Sequence, residues 1–387
     1  MYIFYVSFFY TFGVFSLTES HVFYYIDDDQ PVNFLSKLEH ITNAQDVSRT
    51  KIFLTGDTQI RWTCTDDNYG CQQETKYCNF YKHSDSCTRN QSHYSNIHQI
   101  LSITNLVLQA KERAIDAPKT IIINGDLTAF GHTDELIQYN NYWDHENLHF
   151  TSLGIQIYPG LGNHDYKNNV DDCFMNSCAY RMLSMLQTAM HHKNISVDFD
   201  NRTNVGSFAY SWNECLESEI DTDNKEKFCA HFVQLHNYPT YRKQVDFMFG
   251  LFQYRITDSL KWLEKDLTAN NYPVFLNFHD FDTDFGQQDK QTFQRLLATV
   301  KNGTSLIKGL FFAHFHKKIG LHRQKYWCVN QRKVPLLYVG SVPGNNYMLL
   351  DINLTNNNGS FDAYSLHVKG INSTTVKKIN LWLDEKC

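Results

Sequence analysis

The sequence predicts an α/β protein with sheets covered by helices, and three observations carry that expectation. Short apolar runs recur along the chain and end in Gly-Asp or in histidine, as buried strands feeding loops do. Between them lie stretches whose apolar residues fall at helical spacing. Apolar residues make up 42% of the 387 and charged residues 20%, a globular composition with no internal repeat or low-complexity linker to divide it.

The elements follow in order. Tyr2 to Leu17 is almost wholly apolar or aromatic, and the small polar residues Ser16, Thr18 and Ser20 stand at its end, so residues 1–20 read as a cleaved secretory signal, although no Lys or Arg precedes the run. Residues 21–48 form an N-terminal leader with little pattern, and 49–387 form one large domain. Strands are expected at Lys51–Gly56, Thr120–Gly125 and Gly154–Pro159, with helices at Ile97–Ala114 and Gly131–Leu148. The polar segment Cys64–Cys87 reads as a stapled surface insertion. Tyr180–His191 suits a helix, Phe208–Trp212 and Ala230–His236 suit strands, and Ile256–Asn270 suits a helix capped by Thr257-Asp258-Ser259. Val274–Phe278, Leu310–Ala313, Leu336–Gly340, Tyr347–Ile352 and Ser360–Val368 read as strands, with a helix at Gln291–Lys301.

Composition also excludes classes of function. The formal net charge of −6 gives no general electrostatic footprint for nucleic acid. Beyond the N-terminus no window approaches the roughly 20 apolar residues of a membrane span. Ten cysteines (Cys64, Cys71, Cys78, Cys87, Cys173, Cys178, Cys215, Cys229, Cys328, Cys387) show no C-x-x-C pair, so disulfides are expected, with connectivity open. Seven Asn-x-Ser/Thr acceptors, at Asn90, Asn194, Asn201, Asn302, Asn353, Asn358 and Asn372, suit a glycoprotein that is secreted or held in the secretory lumen.

Five expected strands end in groups that favour metals or phosphate: Asp57, Asp126, Asn163 with His164, His279, and His314 with His316. Ligands bind beyond the carboxyl ends of strands in α/β sheets, so these loops can converge. Oxygen and imidazole donors without thiolate suit Mn, Fe or Zn, and two such ions can clamp a phosphoryl group. The succession Gly56-Asp57, Gly125-Asp126, Gly162-Asn163-His164-Asp165, His279 and His314-Phe315-His316 resembles the calcineurin-like metallophosphoesterase superfamily over roughly residues 50–345. That resemblance implies a two-sheet sandwich flanked by helices and a phosphate-ester substrate, monoester or diester. It also implies two metal ions. Asp57 and His316 would hold one ion, Asn163, His279 and His314 the other, and Asp126 would bridge them. A bridging hydroxide would attack phosphorus, with His164, oriented by Asp165, protonating the leaving oxygen.

Three departures from related patterns stand out. The usual Asp-x-His of the first block is Asp57-Thr58-Gln59, so Gln59 either binds the first ion through its carbonyl oxygen or does not bind it, and in both cases the first site is expected to be weaker or to take a different metal. Ala313 stands where Gly usually opens the last block, and Ala129 stands where the purple acid phosphatase branch has a metal-binding Tyr. His236, at a strand end, could face substrate or be a hydrogen-bonded loop histidine. His132 reads as the start of a solvated helix, and Lys317 with Lys318 could attract an anion. Alternative functions are a diesterase acting on a lipid headgroup or nucleotide, and a secreted binding protein with a degenerate metal site.

Overall fold

The computed structural model describes residues 49–60, 87–112, 117–143, 148–217, 227–247, 252–300, 307–354, 360–368, 374–381 and 387. The expected signal and leader, Cys64, Cys71 and Cys78, and the acceptors Asn302, Asn358 and Asn372 lie outside them. The chain begins β1 (Arg49–Thr55), α1 (Cys87–Glu112), β2 (Thr120–Ile123), α2 (Thr133–Trp143), α3 (Leu148–Ser152), β3 (Gln156–Pro159), α4 (Asn163–Tyr166) and α5 (Ser177–His192). Next come β4 (Phe199–Asp200), β5 (Val205–Gly206), β6 (Tyr210–Glu217), β7 (Lys227–Gln234), β8 (Lys243–Phe247), β9 (Phe252–Ile256), α6 (Leu260–Ala269), β10 (Val274–Asn277) and α7 (Gln287–Thr299). It closes with β11 (Ile307–Phe312), β12 (Ile319–Val329), β13 (Arg332–Ser341), β14 (Asn346–Asn353), β15 (Ser360–Val368) and β16 (Thr374–Ile379).

The two sheets expected from the sequence are two halves of one curled sheet, ordered β3-β2-β1-β14-β13-β11-β10-β7-β6. In one half β1, β2 and β3 run parallel, with β14 antiparallel to β1 and β15 and β16 beyond it. In the other, β7, β10, β11 and β13 run parallel, with β6 and β12 antiparallel at the flanks. Strand β13 joins them: Leu336–Tyr338 pair with β11, whereas Gly340 and Ser341 pair with β14. The bend requires glycine, because Gly340 has φ +89° and a Cβ there would lie 2.4 Å from Asn346 Oδ1.

Alternation along the strands builds the layers. Phe275, Phe311, Leu337 and Val339 turn inward to the core shared with the first half, where Phe361 of β15 meets Phe275 edge-on at 5.4 Å between ring centroids. Leu276, Leu310, Phe312 and Leu336 face outward and are covered by Leu263 and Leu267 of α6 and Phe293 and Leu297 of α7. On the opposite side α1 docks on β1 and β14 through Gln99 Nε2 donating to Thr55 Oγ1 (2.7 Å) and Ser102 Oγ paired with Tyr347 Oη (2.8 Å). A separate four-stranded sheet, β4-β5-β9-β8, packs Tyr254 against Tyr180 of α5. Disulfides link Cys173 to Cys178, Cys215 to Cys229 across β6 and β7, and Cys328 to Cys387.

Several expectations need correction. Ile256 ends a strand rather than opening a helix, and α6 starts at Leu260 with Asp258 Oδ1 accepting from the Leu260 N–H. Ser259 does not cap it, because its hydroxyl donates to the Pro239 carbonyl instead. Of the segment expected at Gly131–Leu148, α2 occupies Thr133–Trp143 and residues 144–147 lie outside the described residues, while α1 reaches back to Cys87, so Cys87 and Asn90 lie in a helix.

Candidate metal centre

Every sequence motif of the candidate site leaves a strand at the same edge of the curled sheet. Asp57 follows β1, Asp126 follows β2, Asn163 and His164 follow β3, His279 follows β10, and His314 and His316 follow β11. Backbone hydrogen bonds hold the loops together: the Asp57 N–H donates to the Gly125 carbonyl and the Gln59 N–H to the Asp126 carbonyl, both at 2.9 Å. The Ala313 N–H donates to the His279 carbonyl at 2.9 Å, tying the two histidine loops to each other. Asp57, Asp126 and His314 adopt left-handed φ of 49°, 52° and 70°, which turn their side chains back over the strand ends at a conformational cost of roughly 1 kcal/mol or more each. Gly162 lets Asp126 approach: a Cβ there would sit 2.3 Å from Asp126 Oδ1.

Four donors meet at one point. His279 Nε2 lies 3.0 Å from Asn163 Oδ1, 3.1 Å from Asp126 Oδ2 and 3.1 Å from His314 Nδ1. Asp126, His279 and His314 each offer an atom, all within 4.8 Å of one another. His279 is aimed by its other nitrogen, with Nδ1 2.7 Å from the Asn124 carbonyl, so Nδ1–H donates and Nε2 faces the centre. Beside this group, Asp57 accepts the His314 N–H on Oδ2 (3.1 Å), while Oδ1 is buried without a hydrogen-bond partner among the described residues and lies 3.5 Å from His316 Nε2. Gln59 Nε2 lies 3.4 Å from Asp126 Oδ2.

The family description "Calcineurin-like phosphoesterase" matches residues 50–318, more than half of the chain. The chain belongs to that family. Among solved structures it is similar to one titled "GAP50 the anchor in the inner membrane complex of Plasmodium", at 9% identity and a TM-score of 0.42 over 87% of this chain and 90% of that one. Among curated proteins no sequence matches.

The electrostatics of this candidate centre suit a bound cation. Burial alone would lower the His279 imidazole, yet the Asp126 carboxylate beside it pushes it up to about 10. Burial opposes the charge on Asp126, but His279 and His164 hold its carboxyl well below the usual range. The His314 imidazole is lowered, by burial and then by His279. A buried carboxylate oxygen with no hydrogen-bond donor among the described residues, as at Asp57 Oδ1, is costly unless positive charge compensates it. Oxygen and imidazole donors with no thiol fit a divalent metal such as Mn, Fe or Zn.

Two expected roles are redirected in the structure. Asp165 does not orient the His164 ring. Its carboxylate accepts the N–H groups of Gly162 (2.9 Å), Leu127 (3.0 Å) and Thr128 (3.1 Å), locking the Asp126 loop against α4. The His164 ring is set instead by Nδ1 donating to the Ala129 carbonyl at 2.8 Å and by an edge-on contact with Phe130. His236 faces no substrate, being 1% exposed. Its Nε2–H donates to the Phe208 carbonyl (2.6 Å) and its Nδ1 accepts the Leu161 N–H (3.1 Å). His236 has a structural use, since its carbonyl accepts the His279 N–H at 2.7 Å.

His132 is also buried, at 8% exposure, rather than solvated, with Nε2 2.9 Å from Asp172 Oδ2. Lys318 folds over the Phe315 ring and donates to Tyr338 Oη. Sequence reading passed over Asn124, whose carbonyl aims His279 and whose side-chain amide donates to the Phe311 carbonyl (3.0 Å). Its only signal was its place immediately before Gly125.

Proposed function

We propose that the chain is a secreted phosphoesterase that hydrolyses a phosphate monoester or diester with the help of two divalent ions. The observation that carries this reading is the meeting of Asp126, Asn163, His279 and His314 at one point beside Asp57 Oδ1, which has no hydrogen-bond partner among the described residues and lies 3.5 Å from His316 Nε2. Asn163, His279 and His314 would hold one ion, Asp57 and His316, with Gln59, the other, and Asp126 would contact both. Such ions supply charge that polarises a phosphoryl group and acidifies water.

The chain's own residues do the rest. His164 is 29% exposed in its side chain, with Nε2 4.0 Å from Asp126 Oδ2, so it stands at the edge of the centre where a leaving oxygen would depart. Its Nδ1–H bond to Ala129 leaves Nε2 as the atom that carries a proton to that oxygen. Asp165 acts one step back, fixing the loop that places Asp126 and Ala129. The three disulfides among the described residues, and the exposed acceptors Asn194 and Asn201, support export and glycosylation.

The test is hydrolysis of p-nitrophenyl phosphate and bis(p-nitrophenyl) phosphate, with elemental analysis of the purified protein. Chelation should abolish activity, and Asp126→Asn, folded by circular dichroism, should lose on the order of 10²–10³-fold. A fully active Asp126→Asn protein, or wild type without bound metal, would overturn the proposal. The ratio of monoester to diester rates assigns the substrate class.

A further inference from the structure

We infer that Asp280 and Thr283, in the loop after β10, fix the tautomer and direction of the His314 ring and so set how tightly the centre holds a cation. This inference rests on the metal-centre reading above. His314 presents Nδ1 toward His279 Nε2 at 3.1 Å, and its other nitrogen, Nε2, lies 3.2 Å from Thr283 Oγ1. The direction of that second hydrogen bond follows from what lies behind Thr283. Asp280 is fully buried, and its Oδ1 accepts the N–H groups of Asp282 and Thr283, each at 2.9 Å. Its Oδ2 accepts the Asp284 N–H at 2.7 Å and the Thr283 hydroxyl at 2.5 Å.

A carboxylate only accepts, so the Thr283 proton is committed to Asp280 and the hydroxyl oxygen is left to accept from His314. Nε2 must then carry the ring proton, and the lone pair falls on Nδ1, the nitrogen that faces Asp126 and His279. The same logic holds at His279, where the Asn124 carbonyl takes the Nδ1 proton. The two imidazoles are thus set by opposite nitrogens and opposite partners, one by backbone and one by a carboxylate-hydroxyl relay. Asp280 follows His279 directly in the chain, so one short turn positions both rings. Thr283 itself is exposed.

Thr283→Val keeps the shape and removes the acceptor, whereas Thr283→Ser keeps it. Two readouts apply. In metal-stripped protein, ¹H–¹⁵N correlation spectra of the imidazoles, with the His314 signals assigned by their loss in His314→Gln, should show the Nε2–H form in wild type and Thr283→Ser and a mixture in Thr283→Val. Calorimetric titration with Mn²⁺ should show Thr283→Val weakened by about 10–100-fold, with Thr283→Ser near wild type. Unchanged tautomer and unchanged Mn²⁺ affinity in Thr283→Val would overturn the inference. Wild type that binds no Mn²⁺ would instead count against the metal-centre reading, and the metal-free spectra would still decide the role of Thr283.

Discussion

At Gln59 the backbone takes a left-handed φ of 37° and brings the side-chain amide to 3.4 Å from Asp126 Oδ2, at the position where the family pattern has histidine. An amide offers one neutral carbonyl oxygen, a poorer donor to a transition metal than imidazole. The ion beside Asp57 and His316 is therefore the weaker of the two in the proposed centre. Gln59→His should tighten the second, weaker step of a Mn²⁺ titration by roughly tenfold and leave the first unchanged. Calorimetry on the metal-stripped protein measures both steps, and an unaltered weak step would show that residue 59 lies away from the ion. At this scale the sequence placed the candidate residues at strand ends but did not record their hydrogen-bond partners. The Gly-Asn-His-Asp block suggested that Asp165 served its neighbour His164, but a carboxylate in the first turn of a helix finds backbone N–H groups closer to hand, and Asp165 takes three of them.

Elements meet at fixed distances, and Ala313 shows how one methyl group constrains its neighbour. A Cβ on Gly56 would lie 2.3 Å from the Ala313 Cβ, so the loops after β1 and β11 pack so closely that only one of the two positions can carry a side chain. Gly56→Ala should destabilise the protein by about 1–3 kcal/mol, and Ala313→Gly should relieve much of that loss. Urea unfolding of the two single variants and the double variant tests this. A coupling of about 1–2 kcal/mol is expected, and simple additivity would show that the two residues do not touch. The strands bearing the site were legible because buried parallel strands read as unbroken apolar runs. Strand β12 was not: its register shifts between Leu321 and Tyr326, and His322, Arg323, Gln324 and Lys325 interrupt the pattern. Strands β4 and β5, two residues each, are too short to show a period.

Across the whole molecule, polar bridges hold the two halves of the sheet in the register the centre needs. His236 follows β7 in one half and receives the Leu161 N–H from the end of β3 in the other. Tyr210 of β6 donates to the Pro159 carbonyl at 2.7 Å, and Asn124 reaches Phe311. Burial lowers the His236 imidazole from 6.5 to about 4, outweighing the Phe208 carbonyl that favours its proton. The folded protein therefore prefers neutral His236, whereas the unfolded chain takes up a proton near 6.5. Stability is complete above that value and is lost as pH falls from about 6.5 toward about 4, by up to roughly 3 kcal/mol. Urea midpoints at pH 7 and pH 4.5 should fall more in wild type than in His236→Gln. An equal fall in both would place the acid sensitivity elsewhere.

By itself the sequence determined the α/β class, the strand-end motifs and their family, because buried strands and the short blocks that follow them are written in consecutive residues. Only the tertiary structure decided that β13 joins the two sheets, that His236 is a brace, that Ala129 holds His164, and that Asn124 and Thr283 aim the two imidazoles. Each of these depends on which backbone groups stand near a ring or a carboxylate after the halves have closed. A hydrogen bond spans about 3 Å of space whatever the number of residues between its ends, and no spacing in the chain records it.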